Sequence, residues 1–415
     1  ATVIPVSERY GSDCLCAHII GYTSGDKGVC GLEMAYDELL RVPRSYVDLN
    51  YSVDARGDLL EGDGIDMKWV SSFKTGIYTS IDYAVQKAAE TAMADVKKGA
   101  AIVVDISTGE ICAVVSKPVF DPSHPELSLD DPDSPFINRA FSAYSVGSVF
   151  KLVTAGAALE YGISDEYVYD CTGSITVRQD KFGCHRFGGH GRLDMRQAMV
   201  ESCNPYFISL GQDIPASFLH DFAAGLGFGE GKTFALGLTS AKGNLPTEGE
   251  LLVPEEKANF SFGQGRLTAT PLQVTMMTTA IANGGECPYP VLINGNADQT
   301  GVKAVSADIS SYTRVMKRST ADKLKDFMIS TMYKENSMAI PEFTTGGGKT
   351  STAQTWTYDE YGNEKLNCWF TGFFPADEPR YAVTVMIEEG ISGNVTCGPV
   401  FRAIADAVQM NRYAG

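Results

Sequence analysis

The sequence predicts an α+β chain in which strands from near both ends complete one antiparallel sheet and a helical middle packs on it. Three observations carry this reading. Apolar runs at residues 101–106 and 111–115, joined by Ser107-Thr108-Gly109-Glu110, have the pattern of a hairpin. Strand-like runs return at residues 349–355, 368–374 and 381–388, the last two linked by Pro375-Ala376-Asp377-Glu378-Pro379. Between these sets, from about Ser148 to Gly285, helical stretches dominate. Strands at both ends of a helical middle close into one sheet only if the helices cover it.

Taken in order, residues 1–75 differ from the rest. They carry short apolar pieces and turn signals such as Ser24-Gly25-Asp26 and Glu61-Gly62-Asp63-Gly64, which predict a small β-rich domain or part of one. A second domain is expected over residues 76–415. Ile81-Asp82 opens it, and Tyr83, Val85, Ala88, Ala89, Ala92, Met93 and Val96 follow at helical spacing. Residues 120–134, with several prolines and acids, predict an irregular segment, and a final helix is expected near 400–410.

Composition bounds the function. With 415 residues, two or three domains are expected at roughly 100–200 residues each. The 51 acidic and 34 basic side chains give a net charge of −17, and no Lys/Arg block interrupts it, which excludes a nucleic-acid binder. No stretch approaches the ~18 consecutive apolar residues of a membrane span. The ten cysteines form no dense framework; Cys171 and Cys184 are the most pair-like, and their redox state is left open. Most of the others are expected as small buried hydrophobes.

Three segments carry chemistry. In Gly147-Ser148-Val149-Phe150-Lys151 the hydroxyl and the amine lie three residues apart at the start of a helical run, so they share a face. A serine needs a base to become a nucleophile, and a lysine serves if burial and a helix N-terminus lower its pKa. An ordinary helix cap is the plain alternative for Ser148. Ser202-Cys203-Asn204-Pro205 offers a hydroxyl and a carboxamide, and Pro205 biases Asn204 away from the helical region, which predicts a loop between helices. Gly346-Gly347-Gly348-Lys349-Thr350-Ser351-Thr352 opens a strand bare of side chains, then places Lys349 and Ser351 on one face and Thr350 and Thr352 on the other.

Other assignments fit less well. Gly231-Lys232-Thr233 and Gly348-Lys349-Thr350 end like phosphate-binding loops, but the glycine required five places earlier is Leu226 or Phe343. Cys171, Cys184, His185 and His190 contain ligand types for zinc but no tight Cys-x-x-Cys pair, so no metal or cofactor is expected. A Ser-His-Asp triad would have to draw on His185, His190 or His220, whereas Ser148 already has a basic partner three residues away.

Ser-x-x-Lys, Ser-x-Asn and Lys-Thr-Ser in this order resemble the signature of penicillin-binding proteins and class A β-lactamases. More of the chain resembles the monofunctional class B penicillin-binding proteins. The residues concerned are Gly31-Leu32-Glu33…Tyr36-Asp37, Thr79-Ser80-Ile81-Asp82…Gln86, Asn138-Arg139-Ala140, Gly263-Gln264-Gly265…Thr270-Pro271-Leu272-Gln273, Ala282-Asn283-Gly284-Gly285 and Trp369-Phe370-Thr371-Gly372-Phe373. Cys171…Cys184 with Gly189-His190-Gly191 is similar to the division and sporulation branch. Two departures stand out: Val146 where the family has Pro, and Ser351 where the third motif has Gly, either crowding the substrate strand or adding a hydroxyl.

The resemblance implies a serine transpeptidase/β-lactamase-like fold with an all-helical subdomain, and it makes residues 1–75 a partial pedestal. It implies a DD-transpeptidase that acts on peptidoglycan stem peptides and is acylated by β-lactams. Ser148 is then the nucleophile and Lys151 its base; Ser202 relays a proton, and Asn204 steadies Lys151 and the substrate amide. Lys349, with Thr350 and Ser351, holds the terminal carboxylate, and the backbone N–H groups of Ser148 and Thr352 form the oxyanion hole. A β-lactamase, a DD-carboxypeptidase and a β-lactam sensor share these motifs and are separated by deacylation rate, by cross-linking and by peptidase activity. The family also implies a membrane glycosyltransferase partner and an N-terminal anchor beyond this chain, on the outer face of the cytoplasmic membrane.

Overall fold

The computed structural model describes residues 2–5, 9–10, 15–41, 45–58, 60, 65–71, 76–297, 303–304 and 312–414; Cys14 and the turn signal at 61–64 lie outside them. Strands β1 (Gly99–Asp105), β2 (Ile111–Lys117), β3 (Gly347–Tyr358), β4 (Glu364–Phe374) and β5 (Tyr381–Glu388) form one antiparallel sheet, ordered β3-β4-β5-β1-β2. The chain ends therefore meet in the middle of the sheet: β5 pairs with β1, Tyr381 opposite Asp105 and Ile387 opposite Gly99. Strand β3, which carries the third motif, is an edge strand with one side free of sheet partners.

Six helices position the site: α1 (Tyr83–Ala92), α2 (Lys151–Tyr161), α3 (Asn204–Gln212), α4 (Pro271–Ala282), α5 (Arg318–Met332) and α6 (Gly398–Ala414). They cover both faces of the sheet, which is why β1 reads as an unbroken apolar run rather than an alternating one. Ala100, Ile102 and Val104 pack with Leu272 and Met276 of α4 on one face. Ala101 and Val103 pack with Val85 and Ala89 of α1 and Phe401 and Ile404 of α6 on the other. Every residue of α4 is buried, so its threonines need internal partners: Thr278 Oγ1 lies 2.6 Å from Thr371 Oγ1, which lies 2.8 Å from Thr384 Oγ1. Asp82 starts α1 by accepting from the N–H groups of Ala84 and Val85 at 2.8 and 3.0 Å.

The helical middle also carries short hairpins that helical periodicity does not show. Tyr169–Cys171 pairs with Gly191–Leu193 and Ser174–Val177 with Asp180–Gly183, between α2 and α3. Near the N-terminus, Thr2–Pro5, Ser45–Tyr51 and Ile65–Ser71 form a separate three-stranded sheet. The residues between its first two strands reach the main body instead. Ile19 and Leu32 share a core with Val114 and Phe141, and the His18 ring meets Phe120 edge-on at 5.2 Å.

Candidate active site

Ser148 lies in a single 3₁₀ turn, Gly147–Phe150, which runs directly into α2 at Lys151. Gly147 makes this turn possible. Its φ is +65°, and a Cβ there would come within 2.3 Å of the Ser351 hydroxyl. Gly263, the first glycine of the Gly-Gln-Gly segment, holds the turn from behind: its carbonyl accepts the Gly147 N–H at 2.8 Å, and a Cβ at Gly263 would meet the Gly147 carbonyl at 2.0 Å. Trp369 fixes the approach to the turn by donating its indole N–H to the Ser145 carbonyl at 2.9 Å.

Ser202 and Cys203 form the connection before α3. Asn204 is the first residue of that helix rather than part of a loop, with Pro205 at the second position, where a missing N–H costs nothing. Ser202 has φ +52°, a left-handed conformation that costs a serine about 1–3 kcal/mol and is held only when its surroundings demand it. The surroundings are visible. The strained turn aims the Ser202 carbonyl and hydroxyl at Lys151, whose amine lies 2.6 and 3.1 Å from them and 2.7 Å from Asn204 Oδ1.

Lys349, on β3, donates to the same Ser202 hydroxyl at 3.0 Å and to the Thr350 carbonyl at 3.1 Å. One hydroxyl thus bridges two lysines that are 0% and 1% exposed. Burial, and then the positive charge of Lys349, hold Lys151 well below the ordinary lysine range. Burial, and then Lys334, bring Lys349 down to about 7. The alternation expected along β3 holds, with Lys349 and Ser351 buried and Thr352 exposed. The Ser351 hydroxyl donates to the Val146 carbonyl at 2.9 Å, next to the Ser148 turn, and Thr352 Oγ1 accepts the Gly393 N–H at 3.1 Å. Beside the cluster is a cavity of about 260 Å³ lined by His185, Glu201, Ser202, Lys334, Gly348 and Thr350.

Four further side chains stand beside the cluster. The Phe207 ring lies 5.7 Å from the Lys151 amine; its position one helical turn after Asn204 is the signal that could have found it. Lys334 pairs with Glu201 at 2.7 Å, and nothing local marks either residue. Cys203, between the two polar residues of the second motif, lies with Cys171, Cys184 and His190 in a group whose ligand-type atoms are all within 4.8 Å of one another. The nine described cysteines are free thiols.

Residues 99–406 match the penicillin binding protein transpeptidase domain. The chain belongs to the penicillin-binding protein transpeptidase family, and to its class B branch. It is 29% identical to peptidoglycan D,D-transpeptidase MrdA of Acinetobacter baumannii, covering 94% of this chain and 64% of the relative. It is also 29% identical to stage V sporulation protein D of Bacillus subtilis, covering 92% and 59%. The chain thus spans less than two thirds of the length of these two relatives. Among solved structures, the D,D-transpeptidase domain of a peptidoglycan glycosyltransferase from Eggerthella lenta superposes with a TM-score of 0.80 at 25% identity, covering 97% of this chain and 92% of that one. Penicillin-binding protein A of Mycobacterium tuberculosis, solved as a ceftriaxone acyl-enzyme, superposes with a TM-score of 0.77 at 25% identity, covering 94% and 90%.

Proposed function

We propose that the chain is an acyl-serine DD-transpeptidase that cross-links peptidoglycan stem peptides and is acylated by β-lactams. The observation that carries this is the Ser202 hydroxyl held between two buried lysines next to the Ser148 turn. Lys151 has three acceptors around it, but a neutral amine has only two N–H donors. Carbonyl oxygens can only accept. The Ser202 contact is therefore the one that reverses, the hydroxyl donating to Lys151 while it accepts from Lys349. That is a wire for moving a proton.

Ser148 attacks the carbonyl of the penultimate D-Ala, and Lys151 takes its proton. Ser202 passes a proton to the leaving amine of the terminal D-Ala, and the amine of a second stem resolves the acyl-enzyme. Lys349 pairs with the terminal carboxylate beside Thr350, and the free edge of β3 offers its backbone to an extended peptide. The N–H groups of Ser148 and Thr352 serve as oxyanion donors. Recognition of an anionic substrate by a chain of charge −17 must be local, and Lys349 supplies it. In this reading residues 76–415 are the transpeptidase domain and residues 1–75 part of a pedestal. The protein works outside the cytoplasm, anchored by a segment beyond this chain and beside a glycosyltransferase; none of the described helices is long and apolar enough to cross a membrane.

The test is mass spectrometry of the chain after penicillin treatment, beside D-Ala release from a pentapeptide. A stable adduct on Ser148 that disappears in Ser148→Ala is expected. An adduct that survives the substitution, or none at all, overturns the reading.

A further inference from the structure

Past Gln354 the pairing of β3 with β4 changes. Gln354 stands opposite Leu366 and Tyr358 opposite Glu364, so three residues of β3 face one of β4 and the strand carries a bulge. Trp356 lies in the middle of that bulge with φ +58°, a left-handed conformation that a bulky side chain adopts only under constraint. The constraint is visible. The Glu364 carboxylate accepts the Trp356 N–H at 3.1 Å and the Gln354 amide at 3.0 Å, and the Thr355 hydroxyl lies 2.7 Å from that of Thr357. No burial is gained in exchange, because Trp356 is 68% exposed. Tyr358 and Tyr361 are exposed as well, and Asp359 closes the tip by accepting the N–H groups of Tyr361 and Asn363 at 2.9 and 2.8 Å. The hairpin thus holds an indole in solvent against a backbone preference, which points to a group that packs on it.

The direction of the substrate says which group. β3 runs from Lys349, the proposed partner of the terminal carboxylate, to Thr352, the proposed oxyanion donor to the penultimate carbonyl. A stem laid along the free edge is therefore antiparallel to β3, and its N-terminus points toward Trp356. Thr352 and Trp356 are four residues apart, ~13 Å at ~3.3 Å per residue. The extended stem, from its fourth carbonyl back to its first nitrogen, covers the same ~13 Å. That nitrogen is where the stem joins the glycan, so the amino sugar arrives at Trp356. A pyranose ring packs its C–H face on an aromatic ring and keeps its hydroxyls in water. Residues 354–365 carry Asp359, Glu360 and Glu364 against the single Lys365, which suits an uncharged sugar and repels an anionic lipid surface.

We propose that Trp356, with Tyr358 and Tyr361 of the same hairpin, stacks on the glycan that carries the donor stem and forms a saccharide subsite at the far end of β3. The proposal rests on the acyl-serine reading for the direction of the stem.

The test compares a disaccharide-pentapeptide with the same pentapeptide lacking sugars, as competitors of penicillin acylation in the full chain. The sugar-bearing ligand should compete about tenfold better, the size of one aromatic contact. Trp356→Gly, which suits the left-handed turn and removes the ring, should erase that ratio, and Trp356→Tyr should restore most of it. Titrating the indole fluorescence with the disaccharide-pentapeptide reads the same contact without acylation, and a change that Trp356→Gly lacks is expected. Equal competition by the two ligands in the parent, or a ratio that survives Trp356→Gly, overturns the subsite. Binding to phosphatidylglycerol vesicles that Trp356→Gly loses, with no advantage from the sugars, makes the ring a membrane contact and overturns it too. No penicillin adduct, with the fluorescence change present, overturns the acyl-serine reading and leaves the saccharide contact standing; with the change also missing, both fall.

Discussion

The Ser351 hydroxyl donates to the Val146 carbonyl at 2.9 Å and thereby ties the edge strand β3 to the residue two places before Ser148. At the position where the third motif has glycine, the serine hydroxyl is thus engaged by the protein's own backbone. The residue is 3% exposed, and Val146 is fully buried.

Replacing it tests this. Ser351→Ala strips the partner from a carbonyl whose residue is fully buried, and leaving a buried acceptor unpaired costs about 1–3 kcal/mol. Thermal unfolding should shift down accordingly, while the penicillin acylation rate changes less than the melting temperature implies. A Ser351→Ala chain that melts like the parent but acylates tenfold more slowly would make Ser351 a substrate contact instead.

How much of this was legible beforehand depends on where the determining contacts lie. The hairpin of β1 and β2 and the run of β5 were readable because helices cover both faces and leave continuous apolar stretches. The side on which Ser351 lies followed from the period of two along a strand, but what stands on that side depends on where the Gly147–Phe150 turn docks, and no local pattern carries that. The loop expected at Asn204 came from the rule for residues before proline; tertiary packing and the tolerance of a helix's first turn for proline overrode it. The cysteine group was invisible as a unit, because Cys203 joins the other three side chains only through the hairpins folded between α2 and α3.

Asn204 offers a test of the lysine wire. Its Oδ1 accepts from Lys151 at 2.7 Å, and its Nδ2 donates to the Gly183 carbonyl at 3.3 Å. Asn204→Ala leaves Lys151 with only the two Ser202 oxygens and frees its amine to move. The acylation rate constant should fall about 10²–10³-fold, the range seen for a lost preorganised polar contact at a reacting centre. Asn204→Asp should also fail, because a carboxylate beside Lys151 stabilises its ammonium, the form that cannot accept a proton. Acylation kinetics of both variants decide this; wild-type rates in Asn204→Asp would remove Lys151 from the role of base.

Away from the chemistry, Arg139 should prove a structural anchor. Its guanidinium is buried and bonds the Glu388 carboxylate at 2.8 Å and the carbonyls of Ser134 and Asp133 at 3.1 and 2.7 Å. Tyr144 donates to the same carboxylate at 3.2 Å, which joins the end of β5 to the segment leading into the Ser148 turn. Breaking a buried pair by removing one partner costs about 3–5 kcal/mol, and the part-exposed Glu388 reduces this to the low end. Arg139→Met should lower the unfolding midpoint by that amount while the Ser148 adduct still forms in the folded fraction. Unchanged stability would show that the anchor lies elsewhere.

The last prediction concerns Lys349, the proposed partner of the substrate carboxylate, whose burial opposes its charge. Its native pKa of about 7 lies below the 10.5 of an unperturbed lysine, so between these values the unfolded chain binds more protons than the native one. Stability therefore rises with pH across that window, and the penalty of burying the ammonium is fully present below about 7. Carboxylate binding needs the opposite, a charged Lys349, so penicillin acylation at low ligand concentration should fall as pH rises through about 7. Lys349→Met removes both effects. It should abolish saturable acylation, flatten the contribution of this group to the alkaline rise in stability, and stabilise the chain near neutral pH by about 1–4 kcal/mol, as replacing a buried charge with an apolar side chain of similar volume often does. Unfolding measured from pH 6 to 10, with acylation rates over the same range, checks the two slopes together. A Lys349→Met chain that is less stable than the parent at neutral pH would mean that Lys349 is held by its hydrogen bonds to Ser202 and Thr350 more strongly than burial opposes it.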